Sequence, residues 1–167
     1  MYFYEGHFKA HNIKDRKVYV TDSFEGLPLP EIEKYSLDKH DKHYKQEYLR
    51  ISQEEVEKNF SLYNLLDENV IFVKGFFEYS LPGLNIETIA VLRIDCDMYS
   101  STTQVLDSLY DKVANEGFII LDDFARRSRS YHAKEAAIDF RSKRNITDPL
   151  IRMDDESAYW QKKERKI

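Results

Sequence analysis

Four short apolar runs constrain this chain more than anything else in it: Val18–Thr21 (VYVT), Val70–Val73 (VIFV), Ile89–Ile94 (IAVLRI) and Gly117–Leu121 (GFIIL). Each is nearly continuous in its apolar character rather than alternating, the pattern of strands buried on both faces in a parallel sheet. Helical stretches separate them. Ser52 and Glu55 stand at capping-box spacing ahead of Val56, Phe60 and Tyr63, which share one helix face. Ser101 is placed to cap a second helix carrying Val105, Leu106, Leu109 and Val113, ending before Gly117, and Ala133, Ala136, Ala137 and Phe140 mark a third. Leu150–Met153 and Ala158–Gln161 are late strand candidates, and Glu31–Arg50, polar and weakly periodic, is expected to be a surface segment or lid. The alternation predicts an α/β fold with helices on both faces of the sheet. A length of 167 residues suits a single domain spanning 1–167.

In such sheets ligands collect beyond the carboxyl ends of the strands. Asp22, Gly75, Asp95, Asp97, Asp122 and Asp123 all fall there. Parallel pairing would bring Asp95 beside Asp122 and Asp123. Three carboxylates with no opposing Lys or Arg repel, and a hard divalent cation relieves them. Oxygen-only ligands favour Mg²⁺, Mn²⁺ or Ca²⁺ over zinc. Asp97, two residues beyond Asp95, is placed to accept a proton from a substrate hydroxyl. A single such Asp more often just caps the next helix, and a D-x-D alone also occurs in nucleotide-sugar transferases and aspartyl phosphatases. Asp22 is either a turn-former before Ser23 or an acid that holds ribose hydroxyls. His40, His43 and His132 lie on polar segments and are expected at the surface.

Composition excludes several classes. The net charge of −5 and the lack of any long basic run argue against nucleic acid as a partner, and Arg126–Arg129 is interrupted by Ser128. No apolar run approaches the roughly 20 residues that span a bilayer, so no membrane partner is expected. A single cysteine, Cys96, forms no internal disulfide and suits a reducing compartment; with no signal-peptide pattern in Met1–Lys9, a cytoplasmic protein is predicted. Twelve Tyr and ten Phe are expected mainly to fill the core and line apolar clefts.

Thr21–Pro28 (TDSFEGLP), Gly75–Pro82 (GFFEYSLP), Leu92–Thr102 (LRIDCDMYSST), Gly117–Phe124 (GFIILDDF) and Ala137–Arg141 (AIDFR), with Ala158–Trp160 (AYW) near the end, resemble successive blocks of the macrocin O-methyltransferase family. The resemblance implies a Rossmann-like class I methyltransferase fold, S-adenosylmethionine as methyl donor, Mg²⁺ as cofactor, a sugar or glycoside hydroxyl of a natural product as acceptor, and association into homo-oligomers. By position, Asp95, Asp122 and Asp123 resemble its metal ligands and Asp97 its general base. Asp22 and Ser23 resemble its ribose-holding pair, Gly75 and Phe76 its adenine-flanking loop, and Asp95 also borders the cofactor. Glu31–Arg50 and the loop Ala125–Tyr131 are expected to shape the acceptor pocket. Cys96 stands where the family usually has Gly, and Phe76 where Trp is common. The family's first strand and glycine-rich turn ordinarily precede TDSFEGLP, between the strands ending at Asp22 and Asp95. Here Met1 is expected to fall in the helix after that turn, so the domain is expected to be incomplete at its N-terminus. Without the turn, the alternative is an inactive remnant that serves as a binding module.

Overall fold

The computed structural model describes residues 2–124 and 132–163. The chain divides into two compact units, Met1–Pro28 with His43–Ser80, and Leu29–Lys42 with Leu81–Ile167.

The first unit contains helix α1 (Tyr2–Ala10), strand β1 (Val18–Asp22), helix α2 (Gln53–Leu62), strand β2 (Val70–Lys74) and the single turn α3 (Phe77–Ser80). Strands β1 and β2 pair in parallel, Val18 opposite Val70 and Asp22 opposite Lys74, so both strands end at the same level. Helix α2 starts as its sequence dictates, the Ser52 hydroxyl accepting from the Glu55 N–H at 3.2 Å. Val18, Val20, Phe24, Phe60 and Val70 form the core, with Tyr2, Tyr4, Phe8 and Phe72 packed on it. Phe60 is fully buried, its ring 4.3 Å from Tyr2 and 5.7 Å from Phe72, the latter edge-on. These rings fill the core as composition suggested, whereas Phe3, Tyr48, Tyr63 and Tyr79 of the same unit are exposed.

The second unit contains β3 (Ile89–Ile94), α4 (Tyr99–Leu109), β4 (Val113–Leu121), α5 (Ala133–Lys143), β5 (Ile151–Arg152) and β6 (Ala158–Gln161). Its sheet has the order β3-β4-β6-β5. β3 and β4 are parallel, whereas β6 runs antiparallel between β4 and β5. Leu106, Leu109, Ile119, Leu121, Phe140 and Trp160 are buried in this unit. The strands thus form two sheets, β1-β2 in the first unit and β3-β4-β6-β5 in the second.

Two predicted boundaries move. Helix α4 begins at Tyr99, so Ser101 is a buried interior residue rather than its cap. Val113 opens strand β4 instead of closing the helix. The register between β3 and β4 shifts here, Ile89 lying opposite Val113 and Val91 opposite Phe118. Gly117 sits at that shift: a Cβ there would come 2.8 Å from Val113 Cγ1 and 2.9 Å from the Ala114 carbonyl oxygen. Glycine permits the close approach of the extra residues to the strand.

Candidate active site

The parallel register carries the carboxylates into place. Ile94 and Leu121 are partners on β3 and β4, and the Asp122 N–H donates to the Ile94 carbonyl at 2.9 Å. Asp95 and Asp122 therefore leave the sheet side by side, and Asp95 lies within hydrogen-bonding reach of Asp123, which is buried. Crowding by surrounding protein, followed by the charge on Asp122, pushes the Asp95 carboxyl up to about 6; Arg93 opposes the shift and Asp123 adds to it. Half of the Asp95 side chain is still exposed, so solvent screens much of this interaction.

The expectation that no basic group opposes these acids is corrected by Arg93. Its Nη2 lies 3.1 Å from Asp95 Oδ2 and 2.8 Å from Asp122 Oδ2. Side chains two apart on a strand share a face, so Arg93 of β3 is directed to the side from which Asp95 follows. In this arrangement no three His, Cys, Asp or Glu side chains among the described residues gather as a metal-binding cluster. The donor chemistry still fits a hard cation: three carboxylates at adjacent strand ends, with one carboxyl raised by burial and then by its neighbours, and a guanidinium nitrogen standing between two of them.

Asp97 occupies the turn beyond β3 with φ +57°, and the Met98 N–H closes back on the Cys96 carbonyl at 2.5 Å. A non-glycine residue in this left-handed region is uncommon, although Asp tolerates it better than most. The turn is held from two directions. The His132 N–H donates to the Asp97 carbonyl at 3.1 Å, which brings one of the histidines expected at the surface to the site through its backbone. Asp38, fully buried, accepts from the Tyr99 N–H at 2.9 Å and the Ser100 N–H at 3.0 Å. It thereby caps α4 where Met98, at the N-cap, makes no side-chain cap bond of its own.

Asp38 lies within the stretch read from sequence as a surface segment or lid. That stretch folds into 3₁₀ turns at Ser36–His40, His43–Lys45 and Glu47–Leu49. Asp41 and His43 are buried as well, which corrects the surface placement of His43, while His40 is exposed as expected. No local signal marks Asp38, because its partners lie some sixty residues away. The loop Ala125–Tyr131, with Arg126–Arg129, lies outside the described residues.

In the first unit, the ends of β1 and β2 form one rim. The Gly75 N–H donates to the Asp22 carbonyl at 2.9 Å, and Gly75 takes φ +140°, which side chains rarely adopt. Phe76 follows and its carbonyl accepts from the N–H groups of Tyr79 and Ser80, opening α3. Asp22 fulfils its turn-forming role: Oδ1 accepts from the Phe24 N–H at 2.6 Å. The Ser23 hydroxyl donates to the Gly26 carbonyl at 2.6 Å and accepts from the Glu25 N–H at 3.0 Å, which commits it to the same turn. Burial raises the Asp22 carboxyl, and the bond from Phe24 works against that.

The sequence model of the Macrocin-O-methyltransferase (TylF) family matches residues 1–162. The chain belongs to that family. It is 42% identical over 158 residues to the demethyldecarbamoylnovobiocin O-methyltransferase of Streptomyces niveus, covering 94% of this chain and 59% of the relative. It is 35% identical over 153 residues to the 8-demethyl-8-(2,3-dimethoxy-alpha-L-rhamnosyl)-tetracenomycin-C 4'-O-methyltransferase of Streptomyces olivaceus, covering 91% of this chain and 57% of that one. The chain therefore spans less than two thirds of the length of these curated relatives. The solved structure of the O-methyltransferase NovP superposes with a TM-score of 0.91 at 40% identity, over 98% of this chain and 66% of NovP. This macrocin O-methyltransferase relative thus has the α/β fold of class I O-methyltransferases, as its sequence blocks implied. No helix among the described residues is long and apolar enough to cross a membrane.

Proposed function

We propose that this chain carries the catalytic carboxylates of a metal-dependent O-methyltransferase that transfers the methyl group of S-adenosylmethionine to a hydroxyl of a sugar or sugar-containing natural product. The observation that carries the reading is the convergence of Asp95, Asp122 and Asp123 at neighbouring ends of β3 and β4, with Asp97 in the turn beyond them. Family membership and relatives named as O-methyltransferases, one of them for a rhamnosyl-tetracenomycin, support it.

Asp97 is the residue for proton transfer: a carboxylate in a turn held by bonds to its own backbone removes the hydroxyl proton and retains it on a side-chain oxygen. Asp95, Asp122 and Asp123 would hold Mg²⁺, which lowers the pKa of a bound hydroxyl and orients it. Asp22 and the Gly75–Phe76 loop lie on one rim, suited to the ribose and adenine of the methyl donor, whose sulfonium methyl is the electrophile. The remaining oxygen of the Asp22 carboxylate is the group for a ribose hydroxyl, since Oδ1 serves the turn. Ser23, beside it, supports that turn through its hydroxyl and so fixes the Asp22 carboxylate at the rim.

The test is methyl transfer from labelled S-adenosylmethionine to a panel of glycosides, with Mg²⁺ and with EDTA. The reading predicts a metal-dependent methyl ether on a sugar oxygen. Methyl transfer unaffected by EDTA removes the metal from the proposal, and no product on any glycoside at saturating donor counts against activity in this chain. A parallel thermal titration with Mg²⁺ should raise the Tm of the chain, and Asp122→Asn should abolish the rise.

A further inference from the structure

Arg93 has no role in the proposed reaction, yet it bridges two of the carboxylates, Asp95 and Asp122. A single nitrogen, Nη2, reaches both Asp95 Oδ2 at 3.1 Å and Asp122 Oδ2 at 2.8 Å, and the Arg93 side chain is only 30% exposed. That placement is what a cation shared by two carboxylates adopts. The adjoining Asp123 carboxyl is buried and coupled to Asp95. Gathering three acids at adjoining strand ends is unfavourable without a positive charge among them.

We infer that Arg93 is a built-in counter-cation that holds Asp95 and Asp122 together before a divalent ion arrives and gives way to that ion when it binds. The inference rests on the proposed metal site and adds to it a competition between two cations for the same oxygens. Arginine suits the task because its charge is permanent and its head group is weakly hydrated. The length of its side chain lets the guanidinium swing aside while remaining attached to β3. In consequence the metal-free chain keeps its strand ends in register, and the divalent affinity is set lower than the carboxylates alone would give.

The experiment measures Mn²⁺ binding to the full chain by the electron paramagnetic resonance of free Mn²⁺, comparing wild type with Arg93→Gln and Arg93→Lys. Removing the competing charge should tighten Mn²⁺ binding roughly tenfold in Arg93→Gln, while Arg93→Lys, which retains the charge, should stay near wild type. Equal or weaker binding by Arg93→Gln overturns the inference and leaves the metal site standing. Mn²⁺ binding by none of the three proteins removes the metal site itself and the competition with it. If Arg93→Gln does not fold, the wild-type guanidinium resonances decide the matter. Exchange protection of Arg93 should be lost on adding Mg²⁺, and protection that persists at saturation overturns the displacement.

Discussion

The conformation of Asp97 makes its side chain the one most open to a clean test. Its backbone turn is held by the Met98 N–H on the Cys96 carbonyl and the His132 N–H on the Asp97 carbonyl, and Asn matches Asp in size and tolerates the left-handed region as well, so Asp97→Asn should leave the turn intact. Removal of a general base typically costs ~10²–10⁴-fold in turnover. We expect a loss of that order in Asp97→Asn, with an unchanged circular dichroism spectrum and retained Mn²⁺ binding; turnover within a few fold of wild type would exclude Asp97 as the base. Asp38 does structural work, since both oxygens of its carboxylate accept from N–H groups of α4. Asp38→Ala leaves those N–H groups without their capping acceptor, at about 1–3 kcal/mol by analogy with other buried polar losses. Urea denaturation should read that loss, and an unchanged midpoint would deny Asp38 its capping role.

At the level of elements, the entry into β4 leaves no room for a side chain at Gly117. Gly117 lies where any side chain would meet Val113 and two carbonyl oxygens, those of Ala114 and Ala90. Gly117→Ala should destabilise by about 1–3 kcal/mol, the range for overpacking, seen as a lower urea midpoint with little change in slope. A variant as stable as wild type would show that the bulge relaxes freely. Lys162, just beyond β6, reinforces this same region. Lys162 donates from Nζ to the carbonyls of Val113 at 2.6 Å and Tyr110 at 3.1 Å, placing a cation at the carboxyl end of the α4 helical segment. The strand-end acids thus rest on a β3–β4 ladder whose far end is secured by glycine packing and a lysine cap.

At the scale of the whole molecule, the carboxyls of Glu5, Asp22 and Asp95 are raised among the described residues. Burial is the first cause for each of Glu5, Asp22 and Asp95, with Asp67 adding to Glu5 and Asp122 to Asp95. A raised carboxyl binds its proton more tightly in the folded state than in the unfolded one. Its contribution to stability is complete below the unfolded pKa, roughly 4, and is lost as pH rises through the folded value, about 6 for Asp95. The lowered carboxyls of Asp67 and Asp154 act in the other sense, losing their contribution as pH falls through their folded values. In EDTA, the Tm of the chain should therefore decline from about pH 5 towards pH 7, and saturating Mg²⁺ should flatten that decline. A Tm that climbs through the same interval without metal contradicts the assignment.

What the sequence determined by itself was local or carried by period: the strand runs, the Ser52 cap, the placement of Asp95, Asp97, Asp122 and Asp123 beyond strand ends, and the family. Strand and helix periods are written in consecutive residues, and parallel pairing aligns strand ends, so these features follow without knowledge of distant contacts. Only the tertiary structure decided the rest. Asp38 as the cap of α4 depends on a contact across some sixty residues that no period encodes. The antiparallel course of β6 and its place between β4 and β5 depend on which edges remain to be paired. Arg93 lay in plain view within LRIDCD and even shares the strand period, yet its partnership with Asp122 on another strand required the β3–β4 register. The carboxylates were legible as a site because their like charge is a property of residue type; what balances that charge is a property of geometry.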